Sequence, residues 1–477
     1  MKHILLSEKN FSKTNSGVFE GWGTSLCWWA NRVGFSEKLV DESVKLFFSK
    51  EGLNLNIMRY NIGGGDDPSH DHIKRTDSEM PGWWKYDKEI KKFVFNPDTD
   101  KNQLEVLKAA YKAAGKDAFV EAFSNSPPYF MTVSGCSSGH TKKYRNNLKK
   151  SAIKPFARYL SDVCFCIQKK YGIIIRSLAP MNEPFTDFWT AYSPKQEGCY
   201  ISPGKMQSDV ILATKYALKN KGLSDIIVTA SDETNTKLQY FSMKLMNRKA
   251  LAAVGRISTH TYSKATPQIG EFSRSHSKNL WMDESDWSGV CGIDSGEMGP
   301  ALWLCEKIIE DINTFSPTAW VIWQIVAAYI SKVPDSKGRL DMPGIPDLTQ
   351  GFWGTAFADI DKEEIYLTQK YCAFGQFTRY IRPGMTIIHT DDSETLAAYD
   401  KNSKKLVIVA MNRESMEKEI SFDFRDIDIN SDTVNAVRTS GDIKSGEHWS
   451  SLPEIKLSEN TFYCTLKENS ITTFIIE

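Results

Sequence analysis

Between about residue 18 and residue 380, short runs of apolar or β-branched residues alternate with longer amphipathic segments. The clearest amphipathic segment is 152–170, whose apolar residues recur at steps of three and four. Eight short runs have the composition of strands: VFEGWGTSL, LNLNIMRYNIG, DAFVEAFSNS, RSLAPMNE, DIIVTASDE, RISTHTYS, NLWMDES and AWVIWQI. This alternation predicts an α/β fold, a (β/α)8 TIM barrel. A doubly wound sheet is the competing fold, but "GWGTSLCWWA" is too bulky for its glycine-rich phosphate turn.

After Pro383 the helical period disappears. "TLAAYDKNSKKLVIVAMNRE" contains two alternating strands around a turn, and "ISFDF", "TFYCTL" and "ITTFIIE" continue with a period of two. We therefore predict the barrel over 18–380 and a C-terminal antiparallel β-sandwich over 381–477. The N-terminal segment 1–17 precedes the barrel, and we interpret it as a strand of this side β-domain.

Charge and cysteine usage limit the partners and the compartment. Lys plus Arg and Asp plus Glu balance at 59 each, so no net field attracts nucleic acid or an anionic membrane. The nine cysteines are scattered without framework spacing, which predicts reduced thiols. The N-terminal apolar run is too short for a signal peptide, and no apolar stretch could span a membrane. We expect a cytoplasmic monomer, or a secreted one if a leader has been removed.

Polar residues at the ends of the predicted strands are the candidates for chemistry, because TIM-barrel active sites lie at the C-terminal ends of the strands. Glu183 ends the fourth strand and Glu284 the seventh, so we expect them to face each other across the barrel mouth. Two facing carboxylates are the minimum apparatus of glycoside hydrolysis. The candidate substrate-binding residues are Trp28, Arg59, Asp67, Asn125, Asn182, Trp189, His260, Tyr262 and Trp323.

Three of these neighbours suit specific tasks. Asn182 can hydrogen-bond the sugar 2-hydroxyl. Arg59 can keep Glu284 ionised, because a nearby opposite charge lowers the pKa of a carboxylate. Tyr262 can donate to the same carboxylate.

Other motifs offer weaker alternatives. Asp232 and Glu233 form an alternative acid pair, although adjacent residues at a strand end point in opposite directions. "HDH" at 70–72 offers metal ligands, but no third ligand has a sensible spacing, so we predict no metal and no cofactor. "NIGGGDDP" lacks the Lys-Ser/Thr pair of a phosphate loop. It fits better as a tight loop beside a sugar, with Asp67 as a buried hydroxyl acceptor.

Together these residues resemble glycoside hydrolase family 30, whose members are retaining β-glycosidases with a (β/α)8 barrel and a C-terminal β-domain. "MNEP" at 181–184 is similar to the acid/base motif of the family, and "WMDES" at 281–285 is similar to its nucleophile strand. The resemblance implies that Glu183 is the acid/base and Glu284 the nucleophile.

Within that family, "GWGTSLCWWA" at 21–30, "RYNIGGGD" at 59–66 and "SNSPPYFMTVSG" at 124–135 most resemble the endo-β-1,6-galactanases. This resemblance implies a carbohydrate substrate, β-1,6-linked galactan or galacto-oligosaccharides. Since no leader is seen, we expect imported oligosaccharides or exo action. The rival hypotheses are another β-glycosidase of the family, acting on β-glucan, β-xylan or β-fucosides, and a non-catalytic carbohydrate-binding protein.

Overall fold

The computed structural model describes residues 1–286, 297–344 and 353–477. No helix in these ranges is both long enough and apolar enough to cross a membrane. The α-helices are α1 (Trp29–Val33), α2 (Glu37–Ser43), α3 (Lys101–Ala114), α4 (Ile153–Tyr171), α5 (Lys205–Asn220), α6 (Thr236–Leu245), α7 (Arg248–Ala253), α8 (Gln268–Ser275), α9 (Met298–Phe315) and α10 (Gln369–Thr378).

Strands occupy both parts of the chain. Those before residue 331 are β1 (Lys2–Leu5), β2 (Gly21–Ser25), β3 (Ile57–Asn61), β4 (Trp84–Asp87), β5 (Lys92–Phe95), β6 (Phe119–Phe123), β7 (Ile175–Ala179), β8 (Ile227–Glu233), β9 (Val254–His260), β10 (Asn279–Ser285), β11 (Ala319–Gln324) and β12 (Val326–Ile330). The others are β13 (Ala356–Asp359), β14 (Glu364–Leu367), β15 (Thr386–Ile388), β16 (Thr395–Asp400), β17 (Lys405–Asn412), β18 (Lys418–Asp423), β19 (Thr433–Ser440), β20 (Glu447–Ser451), β21 (Ile455–Lys456), β22 (Thr461–Leu466) and β23 (Ser470–Ile476).

Eight parallel strands close into a barrel in the order β2-β3-β6-β7-β8-β9-β10-β11, which confirms the predicted fold. Each of the eight predicted runs supplies one of them. Strands β2, β3 and β11 are buried along their whole length, because helices cover the outside and side chains fill the inside. The predicted amphipathic segment forms α4, which ends at Gly172 in the left-handed conformation.

The C-terminal strands form two sheets that pack face to face. One has the order β15-β16-β17-β23-β19-β20, and the other has the order β1-β18-β22. The N-terminal strand β1 runs parallel to β18, so the first residues of the chain lie in the second sheet. Phe422 and Phe462 of that sheet meet Phe474 of the first at ring-centroid distances of 5.6 and 5.1 Å.

Two small sheets lie outside the predicted elements. Strands β4 and β5 form a hairpin between β3 and α3, and β12, β13 and β14 form a sheet between β11 and α10. Their alternation is too short to distinguish them from loops by period alone. For function, the important feature of the fold is that the loops after the barrel strands all rise from one end of the barrel.

Candidate active site

Glu183 and Glu284 meet at the mouth of the barrel. Glu284 lies near the end of β10, where the strand slips register against both neighbours, and Glu183 follows β7. Such bulges re-aim side chains beside active sites. One carboxylate oxygen of each residue and one ring nitrogen of His260 lie within 4.8 Å of one another. Both side chains are almost fully buried.

Arg59 is the cation of the site and is fully buried. Its guanidinium donates to Glu284 Oε2 at 2.6 Å, and the second terminal nitrogen donates to Asn182 Oδ1 at 2.8 Å and to Asp232 Oδ2 at 2.9 Å. It lies over the Phe123 ring, 3.7 Å from the centroid. A buried charge is tolerated only when it is paired, and this planar fork satisfies three partners at once.

Tyr262 and His260 make further hydrogen-bonding contacts with the two carboxylates. Tyr262 donates its hydroxyl to Glu284 Oε1 at 2.9 Å. His260 Nδ1 lies 3.2 Å from Glu183 Oε1 and 3.4 Å from Glu284 Oε1. Burial lowers the pKa of His260 well below its usual value, and the Arg59 charge adds to that effect. The imidazole is therefore neutral and can donate to a carboxylate without adding a charge.

The backbone holds Glu183 in a conformation that non-glycine residues seldom adopt. Its φ is 44°, and that of Asp232 is 56°. The Glu183 amide donates to the Asp232 carbonyl at 2.7 Å, and Trp189 Nε1 donates to the Glu183 carbonyl at 2.8 Å. Residues held in such regions cluster at functional sites, because the surroundings must fix them there.

The two carboxylates have unequal surroundings. Burial raises the pKa of Glu284 to about 7, while the Arg59 charge and the Tyr262 hydrogen bond both act to lower it. Burial also raises the pKa of Glu183 well above its usual range, and the charge of Glu284 raises it further. Glu183 makes no ion pair with an arginine or lysine among the described residues. Glu284 is therefore the first of the two to ionise as the pH rises.

A cavity of about 630 Å³ opens over these groups. It is lined by Asn182, Glu183, Phe188, Trp189, Thr190, Ser193, Lys195, Gln196, Thr234, Tyr262, Glu284, Trp323 and Trp353. Its size and its mixture of aromatic and polar walls suit a small chain of sugars. A larger groove of about 890 Å³ runs along α4 and α5, but it contains none of the strand-end groups. The smaller cavity is therefore the candidate active site.

Comparison with known proteins agrees with this geometry. The sequence model of O-glycosyl hydrolase family 30 matches residues 8–268, more than half of the chain. The chain belongs to O-glycosyl hydrolase family 30. It is accordingly an O-glycoside hydrolase.

Two curated relatives and one solved structure resemble the chain to different extents. An endo-beta-1,6-galactanase of Hypocrea rufa is 30% identical, over 97% of this chain and 92% of the relative. An exo-beta-1,6-galactobiohydrolase of Bifidobacterium longum subsp. longum is 26% identical over 72% of this chain, a match that spans only 28% of that longer protein. The catalytic domain of GH30 xylanase C from Talaromyces cellulolyticus is 18% identical, and it superposes with a TM-score of 0.72 over 100% of both chains. This last likeness shows the shared fold.

Eight of the nine predicted substrate-binding residues of this family 30 chain lie in the candidate active site or directly behind it. Arg59, Asn182, His260 and Tyr262 lie within the hydrogen-bonded network, and Trp189 and Trp323 line the cavity. Trp28 lies beneath Trp323, edge to face at 5.0 Å, and is almost fully buried. Asn125 is also buried beside Cys27. The structure therefore places Trp28 and Asn125 behind the cavity wall.

Asp67 is the exception. The sequence predicts a buried acceptor for a sugar hydroxyl, but Asp67 is only half-buried and lies outside the set of residues that line the cavity. Its Oδ1 accepts from the Ser69 amide at 2.9 Å and the Ser69 hydroxyl at 2.8 Å. These local hydrogen bonds lower its pKa and fix the turn.

Sequence reasoning missed two contributors. Asp232 was considered only as part of an alternative acid pair, yet its carboxylate shares Arg59 with Glu284, while Glu233 turns away to Gln207 and Ser242. Trp353 stacks on Tyr262 at 6.0 Å and lines the cavity. Trp353 carried no strand-end signal in the sequence, because only the folded chain brings it to the barrel mouth.

Proposed function

We propose that this chain is a retaining glycoside hydrolase that cleaves β-1,6-linked galactan or galacto-oligosaccharides. The observation that carries the mechanism is that one carboxylate oxygen of Glu183 and one of Glu284 lie no more than 4.8 Å apart. Retaining enzymes keep their carboxyl groups about 5–5.5 Å apart, whereas inverting enzymes need about 6.5–9.5 Å to admit a water. The gap supports attack by one carboxylate directly on the sugar.

Glu284 fits the nucleophile. The nucleophile must be ionised, and Arg59 and Tyr262 both stabilise the ionised form of Glu284. Glu183 fits the acid/base, because the acid must hold a proton at the working pH and then release it. Its burial and the nearby charge of Glu284 favour the protonated state. When Glu284 loses its charge by forming a glycosyl bond, the pKa of Glu183 falls, which suits its change from acid to base.

Asn182 is oriented by Arg59 so that its amide nitrogen can contact the substrate. Its Oδ1 accepts from Arg59, so its amide nitrogen is turned away from the arginine as a donor. It lines the cavity beside both carboxylates. A donor at this position can bind the 2-hydroxyl of the sugar, a contact that strengthens in the transition state.

The substrate part of the proposal is supported by the two relatives, whose names specify β-1,6-galactan and a β-1,6-galactobiose-releasing activity. The aromatic cavity wall of Trp189, Trp323 and Trp353 offers flat faces for galactose rings, whose axial 4-hydroxyl leaves one face more apolar. A floppy β-1,6 chain loses more entropy on binding than a β-1,4 chain, so a firm hold on one or two sugars beside the carboxylates suits it.

Hydrolysis of β-1,6-galactan, with product sizing and proton NMR of the first-formed anomer, tests both parts. The expected result is galactose or short β-1,6-galacto-oligosaccharides, with the β-anomer appearing first. Initial release of the α-anomer would contradict the mechanism. Equal rates on β-1,6-glucan or β-1,4-xylan would contradict the substrate and favour another β-glycosidase of the family. A purely carbohydrate-binding function would give no product with any of them.

We also propose that the enzyme works as a monomer in a reducing cytoplasm. All eight cysteines in the described residues are free, which supports reduced thiols. Thiol titration of the denatured, unreduced protein should find nine thiols, and sedimentation should give the mass of one chain. Several disulfides would instead indicate an oxidising compartment.

A further inference from the structure

A second cluster of chemically active side chains lies beside the catalytic cavity. Asp66, His70 and His72 follow β3, and Cys136 lies in the loop after β6. One ligand atom from each of the four lies within 4.8 Å of the others. From the sequence alone, "HDH" predicts no metal site because it lacks a third ligand at a sensible spacing. Folding supplies two more, one next to the motif and one about seventy residues away.

Four of the six separations between these atoms can be compared with the edges of a tetrahedral metal site. Asp66 Oδ2 lies 3.3 Å from His70 Nδ1, 3.4 Å from His72 Nε2 and 4.0 Å from Cys136 Sγ. Cys136 Sγ lies 3.5 Å from His72 Nε2. A tetrahedral zinc ion with ordinary bond lengths has edges of about 3.3 Å between nitrogen and oxygen and about 3.6 Å when sulfur is one corner. Three of the four separations agree closely, and the fourth is slightly long.

Hydrogen bonds from neighbouring residues orient Asp66 and Cys136 as possible metal ligands. The Ser137 amide donates to Asp66 Oδ1 at 3.1 Å, which leaves Oδ2 to face the cluster. The Tyr192 amide donates to Cys136 Sγ at 3.3 Å. Donors aimed at a sulfur stabilise a thiolate, and outer contacts of this kind orient metal ligands. A cavity of about 10 Å³ opens at the side of Asp66, His70 and His72.

From this arrangement we propose that Asp66, His70, His72 and Cys136 bind one zinc ion. The thiolate and the two imidazoles select zinc over magnesium or calcium, which prefer oxygen ligands. One thiolate and one carboxylate balance the charge of Zn²⁺, so the site is neutral when filled. Four protein ligands leave no open position, which makes the site structural rather than catalytic.

The ion would join the loops that build the cleft. The ligands come from the loops after β3 and β6, and the Tyr192 amide that contacts Cys136 belongs to the loop after β7. That same loop carries Trp189, which lines the catalytic cavity and donates to the Glu183 carbonyl. Zinc would therefore fasten one wall of the cleft to two neighbouring loops. This part of the inference rests on the proposed active site, whereas metal binding itself does not.

Metal analysis of tag-free protein tests the site. The enzyme purified from zinc-supplemented cells should hold about one zinc per chain, and Cys136→Ser and His72→Ala should lose most of it. His140→Gln, in the same loop region but outside the cluster, and Cys464→Ser, in the side domain, are matched controls that should keep it. Stoichiometric zinc in both ligand variants would overturn the assignment.

Cobalt provides a measurement that needs no variant. Wild-type protein stripped with a chelator under reducing conditions should bind Co²⁺ with intense tetrahedral ligand-field bands and a thiolate-to-cobalt charge-transfer band. Added zinc should remove both bands and raise the Tm. Cobalt bound without the charge-transfer band would exclude Cys136 as a ligand. Failure of the stripped enzyme to bind either metal in a reducing buffer would refute the site.

Discussion

The upper layer of the barrel and the C-terminal β-domain bury different kinds of side chain. The space between the two β-domain sheets is filled by apolar residues such as Phe422, Phe462 and Phe474. The upper barrel instead buries Arg59 among carboxylates. Other charged residues buried in the barrel include Glu121, Asp232, Arg256, Asp283 and Glu284.

Buried apolar side chains and buried charged side chains contribute differently to stability and to catalysis. Apolar burial in the β-domain stabilises folding directly, by roughly 25 cal/mol per Å². Burying charges in the barrel costs desolvation energy, and the ion pairs among Arg59, Asp232 and Glu284 offset that cost. The same desolvation raises the pKa of Glu284 to about 7. We therefore expect substitutions of the catalytic carboxylates to change activity with little loss of stability, and substitutions in the apolar core of the β-domain to do the reverse.

Glu284→Gln should have the largest effect. Removing the nucleophile should lower kcat on every substrate by at least about 10⁴-fold, as for other residues that form the covalent intermediate. The Tm should stay within about 3 °C, because Arg59 keeps Asp232 as a partner. Steady-state kinetics and a thermal melt measure the two quantities. A folded variant with substantial turnover would show that Glu284 is not the nucleophile.

Glu183→Gln should follow, with an effect that depends on the leaving group. Loss of the general acid should lower the rate on β-1,6-galactan by about 10²- to 10⁴-fold. Formation of the glycosyl-enzyme from an aryl β-galactoside should be slowed much less, because an activated phenol needs little protonation. Burst kinetics on the two substrates compare these steps. Equal losses in glycosylation would contradict the acid/base role.

Phe462→Ala should destabilise the β-domain and leave the catalytic rate unchanged. This side chain packs against Phe422 and Phe474 at 5.1 Å each, and its truncation should cost about 3–5 kcal/mol of unfolding free energy. Urea denaturation measures the loss, and kcat below the transition should be unchanged. A large fall in kcat with an intact fold would mean that the two regions are not separable in this way.

Tyr262→Phe should give a smaller and more specific change. Its hydrogen bond lowers the pKa of Glu284, so removal raises that pKa and decreases the ionised fraction at a given pH. The acid limb of kcat/KM should therefore move to higher pH, with a loss of about 10- to 100-fold below it. Tyr399→Phe, which loses a hydroxyl contact to the Asp428 carbonyl in the β-domain, is the matched control. An unmoved acid limb would indicate that another group controls it.

Asp67→Ala should have the smallest effect. Since its carboxylate is occupied by Ser69 and lies outside the cavity-lining residues, the ratio of galactan to glucan hydrolysis should change by no more than about twofold. Competition assays with both polymers measure that ratio. A collapse of galactose preference would mean that Asp67 contacts the sugar after all, as its sequence context first suggested.

The sequence alone determined the architecture and the two carboxylates. Eight apolar runs alternating with amphipathic segments specify a barrel because each parallel strand must be buried on both faces. Once the barrel is inferred, the ends of the fourth and seventh strands lie three strands apart around the same mouth, so Glu183 and Glu284 could be paired across it from their positions. The alternation of apolar and polar residues after Pro383, with a period of two, likewise indicated the antiparallel sheets.

Only the tertiary structure decided how those residues are held and what surrounds them. The sharing of Arg59 between Glu284 and Asp232 depends on side-chain directions at bulged strand ends, which no period encodes. Asp67 turned towards Ser69 because a local hydrogen bond outcompetes a distant cleft. Cys136 reached Asp66 and His72 because loops from separate strands meet at one end of a closed barrel. Contacts between loops that are far apart in sequence form only when the barrel closes. The periodicity of the sequence does not encode them.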